Sequence, residues 1–204
     1  MTQLALPLVI PETSETEFIV SDSNARAVQM LERWATWPVM AGLLTGPRKS
    51  GKSLLSRIFA AKTGGALIDD ADLANETAIF HAWNTAQADH KPLLIVAEEL
   101  WQIKLPDLRS RMAATPLIRI GPPDDPLVPL LLVKFFDRRM LLYKPDLIQW
   151  LTRRVERSHV ALIRVADALE NDAYERRSPR LSIAHARVTL ARHGLLSDHG
   201  SETE

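Results

Sequence analysis

Apolar residues fall along this chain in two rhythms. Short continuous apolar runs at 39–44, 66–68, 93–97 and 117–120 are bounded by Gly, Pro or acidic residues and read as strands, the first of them buried. Between them the spacing is helical. Ala27, Met30, Leu31 and Trp34 follow the N-cap candidates Ser21-Asp22-Ser23-Asn24, and Leu54, Leu55, Ile58 and Phe59 form one face of a helix over 53–61. Further helices are expected over 76–88 and 106–112. After Gly121-Pro122-Pro123 the strands stop, and 124–140, 145–156, 160–170 and 182–192 all read as helices. The pattern predicts an α/β core over 17–122, a small all-helical lid over 123–195 and a polar, flexible tail over 196–204. Residues 1–16, with Pro7, Pro11 and a polar stretch after them, read as an extended arm.

Bulk composition narrows this only slightly. Lys+Arg and Asp+Glu are both 25, so no basic excess argues for nucleic acid as the main partner. The chain has no cysteine, which excludes disulfides and thiolate metal sites. No apolar run approaches the roughly 18 residues of a membrane span, and no basic-then-apolar leader opens the chain, so a cytoplasmic protein is expected. The six histidines show no metal-ligand spacing. Two arginine groups, Arg153-Arg154 with Arg157 and Arg176-Arg177 with Arg180, read as solvated helix faces or as a docking surface for DNA.

The chemistry is carried by Gly46-Pro47-Arg48-Lys49-Ser50-Gly51-Lys52-Ser53, which fits G-x-x-x-x-G-K-[ST] at every specified position. A strand precedes it and a helix follows, with Leu54 opening the apolar face. Such a loop wraps phosphate with backbone N–H groups, and the helix N-terminus favours the anion. Lys52 would reach the β- and γ-phosphates of ADP or ATP, and the Ser53 hydroxyl would ligate Mg²⁺. The strand over 66–68 ends in Asp69-Asp70. Asp69 is placed to assist Mg²⁺ and Asp70 to activate water; the alternative is a cap for the next helix. Only 62–65 separate the P-loop helix from this strand, so a strand–helix unit looks trimmed and the parallel sheet shortened.

Two segments resemble the DnaA family of AAA+ proteins. Phe18-Ile19-Val20-Ser21-Asp22-Ser23-Asn24 resembles its nucleotide-contacting box, which implies contacts from Phe18, Val20 and Asn24. Leu105-Pro106-Asp107-Leu108-Arg109-Ser110-Arg111-Met112 resembles its arginine-finger segment, which implies Arg111 as a finger acting on a partner's nucleotide. The likeness covers 18 to about 192 and implies an AAA+ core and lid. It lacks the DNA-reading domain of DnaA and so is similar to the shortened Hda regulators, which switch that initiator off. Gln3-Leu4-Ala5-Leu6-Pro7-Leu8 resembles the sliding-clamp-binding peptide of those regulators, with Gln3, Leu4, Leu6, Pro7 and Leu8 as contacts.

The resemblance therefore implies DnaA, the clamp and, through the clamp, DNA as partners, with a homodimer also open. Two positions depart from it. Ala97-Glu98-Glu99 stands where DnaA has a small polar residue and Asp, and the second sensor arginine falls on Val160 or Ala161, leaving Arg164 as the nearby substitute. Both argue for weak hydrolysis by the chain itself. An autonomous P-loop ATPase and a DnaA-like DNA-binding or loading factor are the competing readings.

Overall fold

The computed structural model describes residues 18–197; the arm carrying Gln3, Leu4, Leu6, Pro7 and Leu8 lies outside the described residues. The core runs α1 (Asp22–Glu32), β1 (Ala41–Thr45), α2 (Lys52–Thr63), β2 (Ala66–Ile68), α3 (Glu76–Asp89), β3 (Leu93–Ala97), α4 (Pro106–Ala114) and β4 (Leu117–Arg119). The lid is α5 (Leu127–Arg138), α6 (Pro145–Thr152), α7 (His159–Glu175) and α8 (Ile183–Arg192).

The four strands form one parallel sheet in the order β2-β3-β1-β4. β1 and β3 are central and buried at every residue, because helices cover both faces. The pleat sorts their side chains. Leu44, Leu94, Val96 and Ile118 face α1 and α2 with Ala27, Leu31 and Phe59, whereas Leu43, Leu93 and Ile95 face α3 and α4 with Ile79 and Leu108. Trp37 stacks on Phe59 at 5.7 Å, and a Cβ on Gly42 would meet the Trp37 ring at 2.6 Å, so the strand tolerates only glycine there. β2 ends the sheet as a half-exposed edge strand, consistent with the short connection read in the sequence.

The lid has its own core of Val128, Leu132, Phe136, Leu147, Leu151, Leu162, Val165, Leu169 and Leu190. Leu142 and Arg180 form an isolated parallel bridge, so the lid is not wholly without extended pairing. Leu195 and Leu196 pack against the lid core, and the Ser197 N–H bonds the Arg154 carbonyl at 2.7 Å.

Candidate functional site

β1 hands the chain directly to the phosphate loop. Lys49 (φ 63°) and Gly51 (φ 89°) take left-handed backbone, at no steric cost for glycine and at some for lysine. A Cβ on Gly46 would lie 2.9 Å from both the Ile120 Cβ and its carbonyl oxygen. The Gly46 N–H donates to the Glu98 carbonyl at 3.3 Å, which ties the loop to the end of β3. Lys52 Nζ donates to the carbonyls of Gly46 (2.6 Å) and Pro47 (2.9 Å), so the ammonium is held against the loop. Burial pushes its pKa down, while Glu98, Asp69, Asp70 and Asp72 pull the other way.

The parallel register places Thr45 beside Ala97 and Ile68 beside Ile95, so the P-loop, Glu98 and the Asp69-Asp70 turn leave the sheet at one edge. The Asp70 N–H donates to Asp69 Oδ1 at 3.1 Å, Asp70 sits at φ 49°, and the Ala71 N–H fastens the turn to the Val96 carbonyl at 2.8 Å. Both carboxylates are exposed. No cluster of three or more metal-ligating side chains exists among the described residues. Ser53 and Asp69 could hold Mg²⁺ only with phosphate oxygens and water completing its octahedron. Glu98 forms an exposed ion pair with Arg48 at 3.6 Å.

A cleft of about 280 Å³ lies between this loop and the lid. Its core wall is Phe18, Ile19, Asn24, Lys49, Ser50, Gly51, Leu54 and Arg57; its lid wall is Leu127, Leu131, Lys134, Phe135, Arg138, His159 and Ile163. Cations line it, and among the described residues no carboxylate does, which suits a polyanion with an apolar base. The buried Asn24 shapes the near rim. Its Oδ1 accepts the Ser21 N–H (3.0 Å) and its Nδ2 donates to the Ile19 carbonyl (3.0 Å), closing a capping box at the start of α1. Ser50 Oγ is buried without a hydrogen-bond partner on the loop side of the cleft. An orphaned hydroxyl, a glycine cradle and a tethered lysine fit a bound phosphate chain.

One side chain joins this rim to the lid. Asp124 Oδ2 accepts the Ser23 N–H and Oδ1 accepts the Leu127 N–H, both at 2.9 Å, while the Gly121 N–H donates to the Ser23 carbonyl at 2.8 Å. The N-termini of α1 and α5 therefore share one carboxylate. Burial pushes its pKa up, but the hydrogen bonds from Ser23, Leu127 and Ser21 hold it below the usual carboxylate value.

Not every residue singled out from the sequence meets in this cleft. Phe18, Asn24, Lys49, Ser50, Gly51 and Leu54 line it, and Gly46, Pro47, Lys52 and Ser53 flank it in the same loop and helix. Val20 is 54% exposed and turns toward an apolar hollow between α1 and α2. Arg164 is exposed in a separate depression beside Glu156 and Leu195, away from the P-loop. Lys134, Arg138 and His159 line the cleft although nothing in their local sequence marked them.

Arg111 lies on α4 against α3. Its Nε donates to Asn84 Oδ1 at 2.8 Å, its Nη1 to the Asp107 carbonyl at 3.0 Å, and its guanidinium stacks 4.2 Å from the Phe80 centroid. Arg109 instead braces the preceding loop through the Ile103 carbonyl. The arginine groups of the lid are engaged locally: Arg154 lies over Trp150, Arg157 pairs with Asp125, and Arg176 pairs with Asp172.

No protein-family model and no curated protein matches the chain. Solved structures do. Domain III of the replication initiation protein DnaA from Thermotoga maritima superposes with a TM-score of 0.70 at 15% identity, covering 89% of this chain and 97% of that one. The fold is that of DnaA domain III. The RuvB Holliday junction branch migration motor, also from Thermotoga maritima, gives a TM-score of 0.63 at 14% identity over 88% of this chain and 72% of its own. DnaA bound to AMPPCP and single-stranded DNA gives 0.60 at 15% identity over 83% and 69%. At these identities the likeness is one of fold. This arrangement of core and lid explains why the cleft forms where it does, since P-loop, α1 entry and lid helices converge there. Among the described residues no helix is long and apolar enough to cross a membrane.

Proposed function

We propose that this chain binds ADP or ATP with Mg²⁺ in the cleft between core and lid and uses that state to act on the replication initiator DnaA, in the manner of the Hda regulators. The observation that carries the reading is the convergence on one cleft of the tethered P-loop, the Asn24-shaped rim and the cationic lid wall. Lys52 would hold the phosphates, Ser53 and Asp69 the metal, and Phe18 with Leu54 the base. Gln3 to Leu8 would dock the chain on the sliding clamp and so near DNA. Arg111 would then serve ATP held by DnaA, which fits its position outside the chain's own cleft.

The first test is calorimetric titration of ADP and ATP. Wild type should bind, and Lys52→Ala should bind at least about tenfold more weakly, the size of a lost hydrogen bond to a charged group. Failure of wild type to bind either nucleotide would sink the reading. The regulator step is tested by DnaA-ATP hydrolysis on clamp-loaded DNA. Gln3→Ala with Leu6→Ala should lose clamp binding, whereas Arg111→Ala should keep it and lose stimulation. Turnover by the chain alone, independent of DnaA, would favour an autonomous ATPase.

A further inference from the structure

The lid wall of the cleft holds a polar group without a partner. Ser158 caps α7 by accepting the Ala161 N–H at 3.1 Å, which makes His159 the first residue of a 17-residue helix and turns it inward. The ring is 4% exposed, yet its Nδ1 has no hydrogen-bond partner. Across the cleft stands Ser50, 6% exposed, whose Oγ likewise has no partner; the third such atom among the described residues, Trp150 Nε1, lies elsewhere in the lid and does not line this cleft. Buried polar atoms are almost always paired, so two orphans on opposite walls of one cleft point to one ligand that satisfies both.

We propose that His159 is the lid's hydrogen-bonding contact to a phosphate of the bound nucleotide, facing the loop across Ser50 and Gly51. This rests on the nucleotide-binding reading above and adds a residue to it. In the free protein, burial and then the Lys52 cation hold the imidazole below its ordinary pKa, so it is neutral near pH 7 and has one N–H to give. The groups facing it are cationic: Lys49 and Lys52 from the loop and its helix, Arg57 from α2, and Lys134 and Arg138 from α5. The acids near Lys52 are Glu98, Asp69, Asp70 and Asp72. A phosphate entering among them reverses the local field and favours imidazolium. The pKa of the ring therefore rises on binding, protons are taken up, and affinity increases as pH falls.

The experiment uses the full chain with ADP and ATP as probes. Calorimetry in buffers of different ionisation enthalpy from pH 5.5 to 8 reads affinity and proton uptake, and melting of the free protein reads stability. His159→Leu should weaken binding about tenfold, abolish the proton uptake and leave the free protein at least as stable, because an unpaired buried atom is removed. His159→Asn should recover much of the affinity without the proton uptake. A purely structural histidine would give the opposite pairing, lower melting with unchanged affinity, and that result overturns the proposal. So does full proton uptake in both variants. Absence of binding by wild type would instead strike the nucleotide-binding reading itself, and Lys52→Ala separates the two by losing affinity while His159 is intact.

Discussion

Replacing Asp124 by Ala should loosen the lid from the core, and the size of the effect can be worked out. The carboxylate accepts two N–H groups at 2.9 Å, from Ser23 at the start of α1 and from Leu127 at the start of α5. Each is a capping bond to a donor in the first turn of a helix, although the Leu127 N–H also reaches the Asp124 carbonyl at 3.0 Å, and such a truncation costs about 0.5–2 kcal/mol. Two of them give about 1–4 kcal/mol, which for a chain of this size lowers the melting temperature by about 2–4 °C per kcal/mol, or about 2–16 °C in all. The pH dependence has a definite sign. The folded pKa of Asp124 lies below the ordinary 3.8, so its contribution is full above that value and is lost as pH falls through the folded pKa. Wild type and variant should differ by a constant amount from pH 8 to 5 and converge in strong acid. Amide exchange at Ser23 and Leu127 should accelerate in the variant, and ADP should bind more weakly because the cleft walls separate. A melting temperature within about 1 °C of wild type at pH 7 would refute the shared-cap account.

Four further outcomes follow from the packing. Gly51→Ala forces a side chain into φ 89° with its Cβ 3.1 Å from Phe18, so it should cost about 1–2 kcal/mol in urea titration and weaken nucleotide binding as Phe18 shifts. Phe136 is fully buried in the lid core against Tyr143, and Phe136→Ala should cost about 3–5 kcal/mol by the same assay. Glu76 accepts the N–H groups of Lys104 and then Leu105, which hold its carboxyl below the usual range, so the protection of those two amides relative to their intrinsic exchange rate should fall as acid protonates it. Arg111→Ala should leave ADP affinity unchanged in calorimetry and cost no more than about 1–2 kcal/mol, since the guanidinium touches Phe80 and Asn84 but not the cleft.

Much of the fold was legible because the apolar runs and their punctuation agree. β2 and β3 occupy the residues that the sequence marks, since Gly65 and Pro92 end the preceding elements and acids follow. The discrepancies have local causes. β1 starts at Ala41 and not at 39, because Met40 offers its N–H to the Gln87 side chain. α5 starts at Leu127 and not at 124, because Pro126 and the Asp124 side chain occupy its entry. α7 continues to Glu175, beyond 170, because Ala173 still faces the lid core. The loop half of the cleft follows a spacing rule and could be read. The lid half could not. Lys134 and Arg138 look like solvated helix positions, and a lone histidine at a helix start looks like core. Only the apposition of α5 and α7 with the P-loop brings them to one cleft.

That apposition bears on what the nucleotide does. Around the loop, the carboxylate at the end of β3 is paired with Arg48 by an exposed bridge, and the lid wall presents the buried His159. Exposed pairs hold little energy and are screened by salt, so Glu98 gains no fixed place for ordering water. The cleft is instead bound on both rims, by Asn24 at the entry and by Asp124 across to the lid. Arg111, on the far helix pair and outside this cleft, is free of that constraint, because its contacts are to Phe80, Asn84 and its own helix. Under the proposed function, a bound nucleotide would act as a brace that fixes core against lid, and Arg111 would make its contribution on a nucleotide held outside this cleft.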